Sequence, residues 1–136
     1  MISAFEAKLV STAITEEKKA KEQLEKQLRA ERAKDNAVTF CETFIDEKIM
    51  EAMQNGRHHI FIPIEDNYEG YCYRLTEKKR AYRNGDGSWE RAGSMFDFAE
   101  AKRILQSAGY SITLVSAIYK RYSYGTIKAY NLHISW

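Results

Sequence analysis

The chain has 136 residues, enough to bury a core without disulfide or metal staples, and its 44% hydrophobic and 29% charged content is that of a globular domain. Two cysteines, Cys41 and Cys72, match no metal-ligand spacing and exclude a disulfide framework; no apolar run approaches the roughly 20 residues of a membrane span. The net charge of +2 is divided unevenly: residues 1–56 carry nine Lys or Arg against eleven Asp or Glu, and residues 57–136 carry twelve against eight.

After Glu100 there is no acidic side chain, while Lys102, Arg103, Lys120, Arg121 and Lys128 follow. A basic C-terminal portion of this kind suits an anionic partner. The start Met-Ile-Ser-Ala-Phe-Glu has no basic region followed by an apolar one, so the reading is of a cytoplasmic protein with reduced thiols and no membrane association.

Ser3 and Glu6 have the spacing of a capping box and predict a helix starting near Ala4. Its first turns carry the apolar stripe Phe5, Leu9, Ala13 and Ile14. From Glu16 to Lys34 the residues are mostly charged helix formers, with Glu17–Lys21, Glu22–Lys26 and Glu25–Arg29 at the favourable i, i+4 spacing. Only Leu24 and Leu28 continue a seam, because the next heptad positions are Glu31 and Asp35; a long coiled coil is not supported. Residues 1–36 therefore read as a charged helical arm whose exposed stripe favours pairing with a second copy, and residues 37–136 as an α+β domain.

Asp35-Asn36 is either the cap of a second helix or a polar interruption in one continuous helix. Beyond it Val38, Cys41, Phe44, Ile45, Ile49, Ala52 and Met53 recur at three- and four-residue steps, the signature of a helix burying one face. Asn55-Gly56 closes it. The period then changes to two. Arg57 to Ile64 reads as a short strand, with Pro63 indicating an edge position, and Tyr71 to Leu75 as a weaker one. In the polar segment from Thr76 to Gly93, Asn84-Gly85-Asp86-Gly87 either turns a hairpin or belongs to a loop.

Asp97 and Glu100 form a second capping box, opening a helix that carries Phe98, Ala101, Ile104, Leu105 and Ala108 and stops at Gly109. Two strands complete the chain. The first is expected to place Ile112, Leu114 and Ile118 on one face and Val115, Ala117 and Tyr119 on the other. The second places Tyr130, Leu132, Ile134 and Trp136 on one face and Asn131, His133 and Ser135 on the other. The expected class is α+β: an N-terminal helical arm and a small antiparallel sheet packed on helices.

No motif names a reaction, and no cofactor is implied. Adjacent His58 and His59 point to opposite faces of a strand, so they do not share one ion. His133-Ile134-Ser135 resembles half of the paired His-x-Thr/Ser signature of two-histidine phosphoesterases, but His59-Ile60-Phe61 lacks the hydroxyl of a second half. Asn84 to Ser88 lacks the remaining ligands of a calcium loop.

The chemistry-bearing stretch is the aromatic and basic tip between the last two strands: Lys120, Arg121, Tyr122, Tyr124 and Lys128, with Arg57 and His59 as outside candidates. Cations attract phosphates and rings stack on bases, while Tyr and Arg equally favour a protein interface. A second basic and aromatic patch, including Arg74, Lys78, Lys79, Arg80, Tyr82, Arg83, Trp89 and Arg91, is interrupted by Glu77, Asp86 and Glu90.

The run Ile104-Leu105-Gln106-Ser107-Ala108-Gly109-Tyr110-Ser111-Ile112, the closing Ile134-Ser135-Trp136 and the helix end Met53-Gln54-Asn55-Gly56 resemble a pattern of small phage and prophage accessory proteins, over residues 40–136. The resemblance carries over no catalytic residue. It implies a non-catalytic, anti-defence type of protein that occupies a host or defence protein or sequesters a nucleotide-like small molecule. Sequence-tolerant nucleic-acid binding is the alternative, and a phosphoesterase using His133 a further one. A homo-oligomer is expected.

Overall fold

The computed structural model describes residues 1–66, 70–79, 87–122 and 125–136, with side chains at all of these except 77–79, 87–89, 116–122 and 125–128. The chain divides into two compact units, Met1–Arg32 and Ala33–Trp136. Helix α1 spans Ala4–Thr39 and opens on the Ser3–Glu6 box: the Glu6 amide donates to Ser3 Oγ at 3.1 Å, and the Ser3 amide to Glu6 Oε2 at 3.4 Å. In the first unit Phe5, Leu9, Val10, Ile14, Leu24 and Leu28 are all exposed.

Asp35-Asn36 does not begin a new helix. The helical path continues through a π-helical turn, Phe40–Ile45, into α2, Asp46–Gln54. The reason lies in the spacing of the buried positions Ala33, Ala37, Cys41, Ile45 and Ile49, four residues apart at every step. An α-helix turns every 3.6 residues or so, and a constant step of four would wind this stripe around it. The wider π turn takes up the excess residue and keeps both ends of the stripe on one side. Val38 and Met53, expected in the stripe, are exposed: Val38 sits one residue past Ala37, and after Ile49 the step shortens to three, so that Ala52 is buried in place of Met53.

The sheet has five antiparallel strands: β1 His59–Asp66, β2 Tyr71–Lys79, β3 Gly87–Asp97, β4 Ser111–Tyr122 and β5 Gly125–Ser135, in the order β3-β2-β1-β5-β4. Helix α3, Phe98–Ser107, lies between β3 and β4 in the chain. Its N-cap is Asp97, whose Oδ1 accepts from the Glu100 amide at 3.2 Å. The Glu100 carboxylate turns to Arg103 instead of closing the box, accepting from Arg103 Nε at 3.1 Å.

Pro63 is in the central strand, not an edge strand. It is tolerated because the β1–β2 ladder begins only at Ile64↔Arg74, while Pro63 itself stands opposite Asn131 of β5. Up to Pro63, β1 has a ladder on one side alone, and its missing N–H interrupts nothing. Strand β3 bulges between Ala92, opposite Arg74, and Phe96, opposite Cys72. Gly93, at φ 74°, allows the bend, and the carbonyl of Met95 in the bulge accepts from Asn36 Nδ2 at 2.8 Å, tying β3 to α1 within the second unit. The Asn84 to Gly87 turn read from sequence lies, apart from Gly87, outside the described residues.

One face of the sheet is packed by helices. Ile60, Ile62, Ile64, Leu132, Ile134, Cys72 and Phe96 meet Ala37, Phe40, Cys41, Ile45, Ile49 and Ala52, with Ala101 and Leu105 of α3. Phe40 and Phe96 stack with centroids 4.2 Å apart. Each large side chain fully buried here contributes about 1.5–3 kcal/mol. Strand β4 departs from the alternation expected of it: its register to β5 shifts between Leu114 and Ala117, and Leu114 and Val115 are both exposed. On an edge strand the partnerless side supports neither ladder nor packing, and a bulge there breaks the period.

Candidate functional site

The second face of the sheet carries His59, Phe61, Pro63 and Glu65 of β1 and, by the β1–β5 register, Ala129, Asn131, His133 and Ser135 of β5. At one end three rings converge. Phe61 and His133 stand directly opposite each other and stack at 4.6 Å and 27°. His59, diagonal to His133, lies 5.3 Å from both rings, inclined 57° to Phe61 and 64° to His133. On the far side of β5, Thr113 of β4 pairs with His133, its Oγ1 3.4 Å from His133 Nδ1. His59, Phe61 and Thr113 are exposed, with Phe61 at 52%.

At the other end, about 20 Å along β1, Glu65 accepts a bidentate fork from Arg91, Nη2 to Oε1 at 2.6 Å and Nε to Oε2 at 2.8 Å. The guanidinium lies 4.6 Å over the Tyr73 ring. Glu65 is buried and its charge is matched by this fork, while the Tyr73 ring supports the guanidinium from its face. Arg74, from the second basic patch of the sequence, faces the helices and lies 4.1 Å over Phe44. Two cations of that patch thus serve the fold; the side chains of Lys78, Lys79, Arg80, Tyr82, Arg83 and Trp89 lie outside what is described.

Of the residues singled out at the tip, the register sets Arg121 opposite Thr126 and Lys128 opposite Tyr119. The side chains of Lys120, Arg121, Tyr122 and Lys128, and Tyr124 altogether, lie outside the described residues. Arg57 is exposed just before β1, and its amide donates to the Ala52 carbonyl at 2.9 Å, closing α2. His59 is brought into the ring cluster, whereas His58, its neighbour, is not part of it. Sequence reading left out Phe61 and Thr113 as partners. The available signal was the alternation His59-x-Phe61 against His133-x-Ser135, which gains meaning only once β1 and β5 are neighbours.

Neither thiol is poised for chemistry. Cys41 and Cys72 are buried, and burial, helped by nearby carboxylates, pushes them up to about 11 and about 12. Among the described residues no three His, Cys, Asp or Glu side chains converge as a metal centre, and no helix is long and apolar enough to cross a membrane. A depression on the outer face of α2 is lined by Glu42, Asp46, Glu47, Glu51 and Met50, whose carboxylates repel an anionic ligand.

No family model, curated protein or solved structure matches the chain. The geometry of the second sheet face therefore carries the functional reading alone. Exposed planar rings on adjacent inner strands can stack a base, and imidazole nitrogens beside a hydroxyl can bond its edge or a phosphate oxygen.

Proposed function

We propose that this chain is a non-catalytic binding protein of the phage accessory type that holds a nucleotide-like anionic ligand on the second face of its sheet. The supporting observation is the cluster of exposed Phe61 and His59 with half-buried His133 on the two inner strands β1 and β5. Structural aromatic residues are ordinarily turned into a core; here the core is complete on the opposite face, and these rings add nothing to it. The basic tip Lys120 to Lys128, at the far end of the β4–β5 pair, adds long-range attraction for an anion in this reading, and sequestering a defence signal or occupying an acidic host surface is the biological use.

Calorimetric titration with nucleoside phosphates and short oligonucleotides tests this. Phe61→Ala is expected to weaken binding about 5- to 150-fold, the span of 1–3 kcal/mol per stacked base. Wild-type binding that is absent, or unchanged in Phe61→Ala, removes the proposal. Affinity that grows with oligonucleotide length and falls steeply with salt would assign the surface to single strands instead.

One observation favours a second reading, phosphoester cleavage using His133: a second imidazole, His59, lies 5.3 Å away and could act as the complementary acid or base. Turnover of a nucleotide panel that disappears in His133→Ala would support it, and no turnover of any member would eliminate it.

A further inference from the structure

The two histidines have a geometric property that stacking does not use. In the order β1-β5-β4, His133 sits between His59 on one side and Thr113 on the other. Its Nδ1 faces Thr113 Oγ1 at 3.4 Å. The two nitrogens of an imidazole point in different directions from the ring, so the contact with Thr113 engages Nδ1 and leaves Nε2 outside it. When Nδ1–H donates to the threonine hydroxyl, Nε2 keeps a free lone pair, the tautomer a metal-ligating histidine needs.

The ring separation fits the same use. A metal–imidazole bond is about 2.0–2.1 Å and the ring centroid lies about 1.1 Å behind the nitrogen, so two imidazoles on one tetrahedral ion hold their centroids roughly 5 Å apart. His59 and His133 are at 5.3 Å. Phe61 stacks on one ring and leans on the other, restricting both without supplying a competing polar group. His58 precedes β1 and is not part of this ring cluster.

We propose that His59 and His133 form an open site for a borderline divalent transition metal, such as Zn²⁺ or Ni²⁺, with Thr113 orienting His133. Two protein ligands leave coordination positions for water or for an external donor, so the ion is held at the surface and available to a ligand. This stands independently of nucleotide binding and is tested without any nucleotide.

The tag-free full chain is titrated calorimetrically with Ni²⁺ and with Zn²⁺ at neutral pH. The expected result is one ion per chain, with affinity lowered at least about tenfold in both His59→Ala and His133→Ala, about tenfold in Thr113→Val, and unchanged in His58→Ala. Because His59 and Thr113 are exposed, these substitutions are expected to keep the fold, which circular dichroism checks; His59→Gln and His133→Gln replace any variant that does not. The site is overturned if the wild type binds no ion, if either histidine variant binds as the wild type does, if His58→Ala abolishes binding, or if one ion is bound per two chains.

Discussion

His59, Phe61 and His133 show how a side chain acquires meaning from a partner far away in the chain. Each was visible as one residue of an alternating strand, and His133 was already marked by Ser135 two places on. Their meeting depended on the pairing of β1 with β5, which periodicity does not encode. His58 and His59 drew notice as neighbours in sequence, but the imidazole that meets His59 belongs to another strand. Cys41 and Cys72 were more legible, since a cysteine in an apolar stripe is ordinarily a small buried hydrophobe. Their thiols carry a pH prediction. Burial raises both from the ordinary 9.0 to about 11 and about 12, so the neutral form is favoured in the folded chain. The stabilisation is complete below pH 9 and is lost as pH rises through these raised values, because the unfolded chain ionises first. Urea unfolding between pH 8 and 11 should show stability falling at the alkaline end, and Cys41→Ala with Cys72→Ala should flatten that fall; an equal fall in the double variant would assign it to other groups.

At the level of elements, both helix starts were written in the sequence, because a cap is a local contract between residues three apart. The continuous helix from Ala4 to Gln54 was not, since Asp35-Asn36 looks like a cap when Asn36 is in fact committed to the Met95 carbonyl. The clue to the π turn was the repeated four-residue step from Ala33 to Ile49, which an ideal α-helix cannot keep on one face. Inserting one alanine after exposed Thr43 adds a second excess residue that the single wide turn cannot absorb, and should rotate Ile45 and Ile49 away from the core. The expected loss is about 2–5 kcal/mol, that of losing a large buried side chain, whereas Thr43→Ala should leave stability nearly unchanged. An insertion variant as stable as the parent would mean that the turn has no register role. Pro63 and the bulge of β4 failed to follow simple rules for a related reason: ladders begin and slip at positions set by the neighbouring strand.

For the whole molecule, the α+β class was legible and the strand order was not. The closing strand lies inside the sheet beside the first, so the chain's two most distant strands are bonded neighbours. This places the chemistry-bearing alternation of β1 and β5 side by side, and leaves the basic tip sought from sequence at the far end of the β4–β5 pair. The first unit has its own requirement. Phe5, Leu9, Leu24 and Leu28 are exposed along a helix whose charges nearly balance, and a second copy of the chain is the partner we propose for them. Light scattering should give twice 15.8 kDa for the wild type and a single chain for Phe5→Glu with Leu9→Glu; a wild-type monomer at high concentration would contradict the pairing.

In the proposed function the second sheet face is the ligand surface. Amide shift mapping during titration with nucleoside phosphates tests it most directly. Shifts are expected to concentrate at His59, Phe61, Thr113 and His133, with Cys41, Ile45 and Ile49 on the opposite side of the sheet unmoved. Shifts confined to the outer face of α2, or none at saturating ligand, would contradict it.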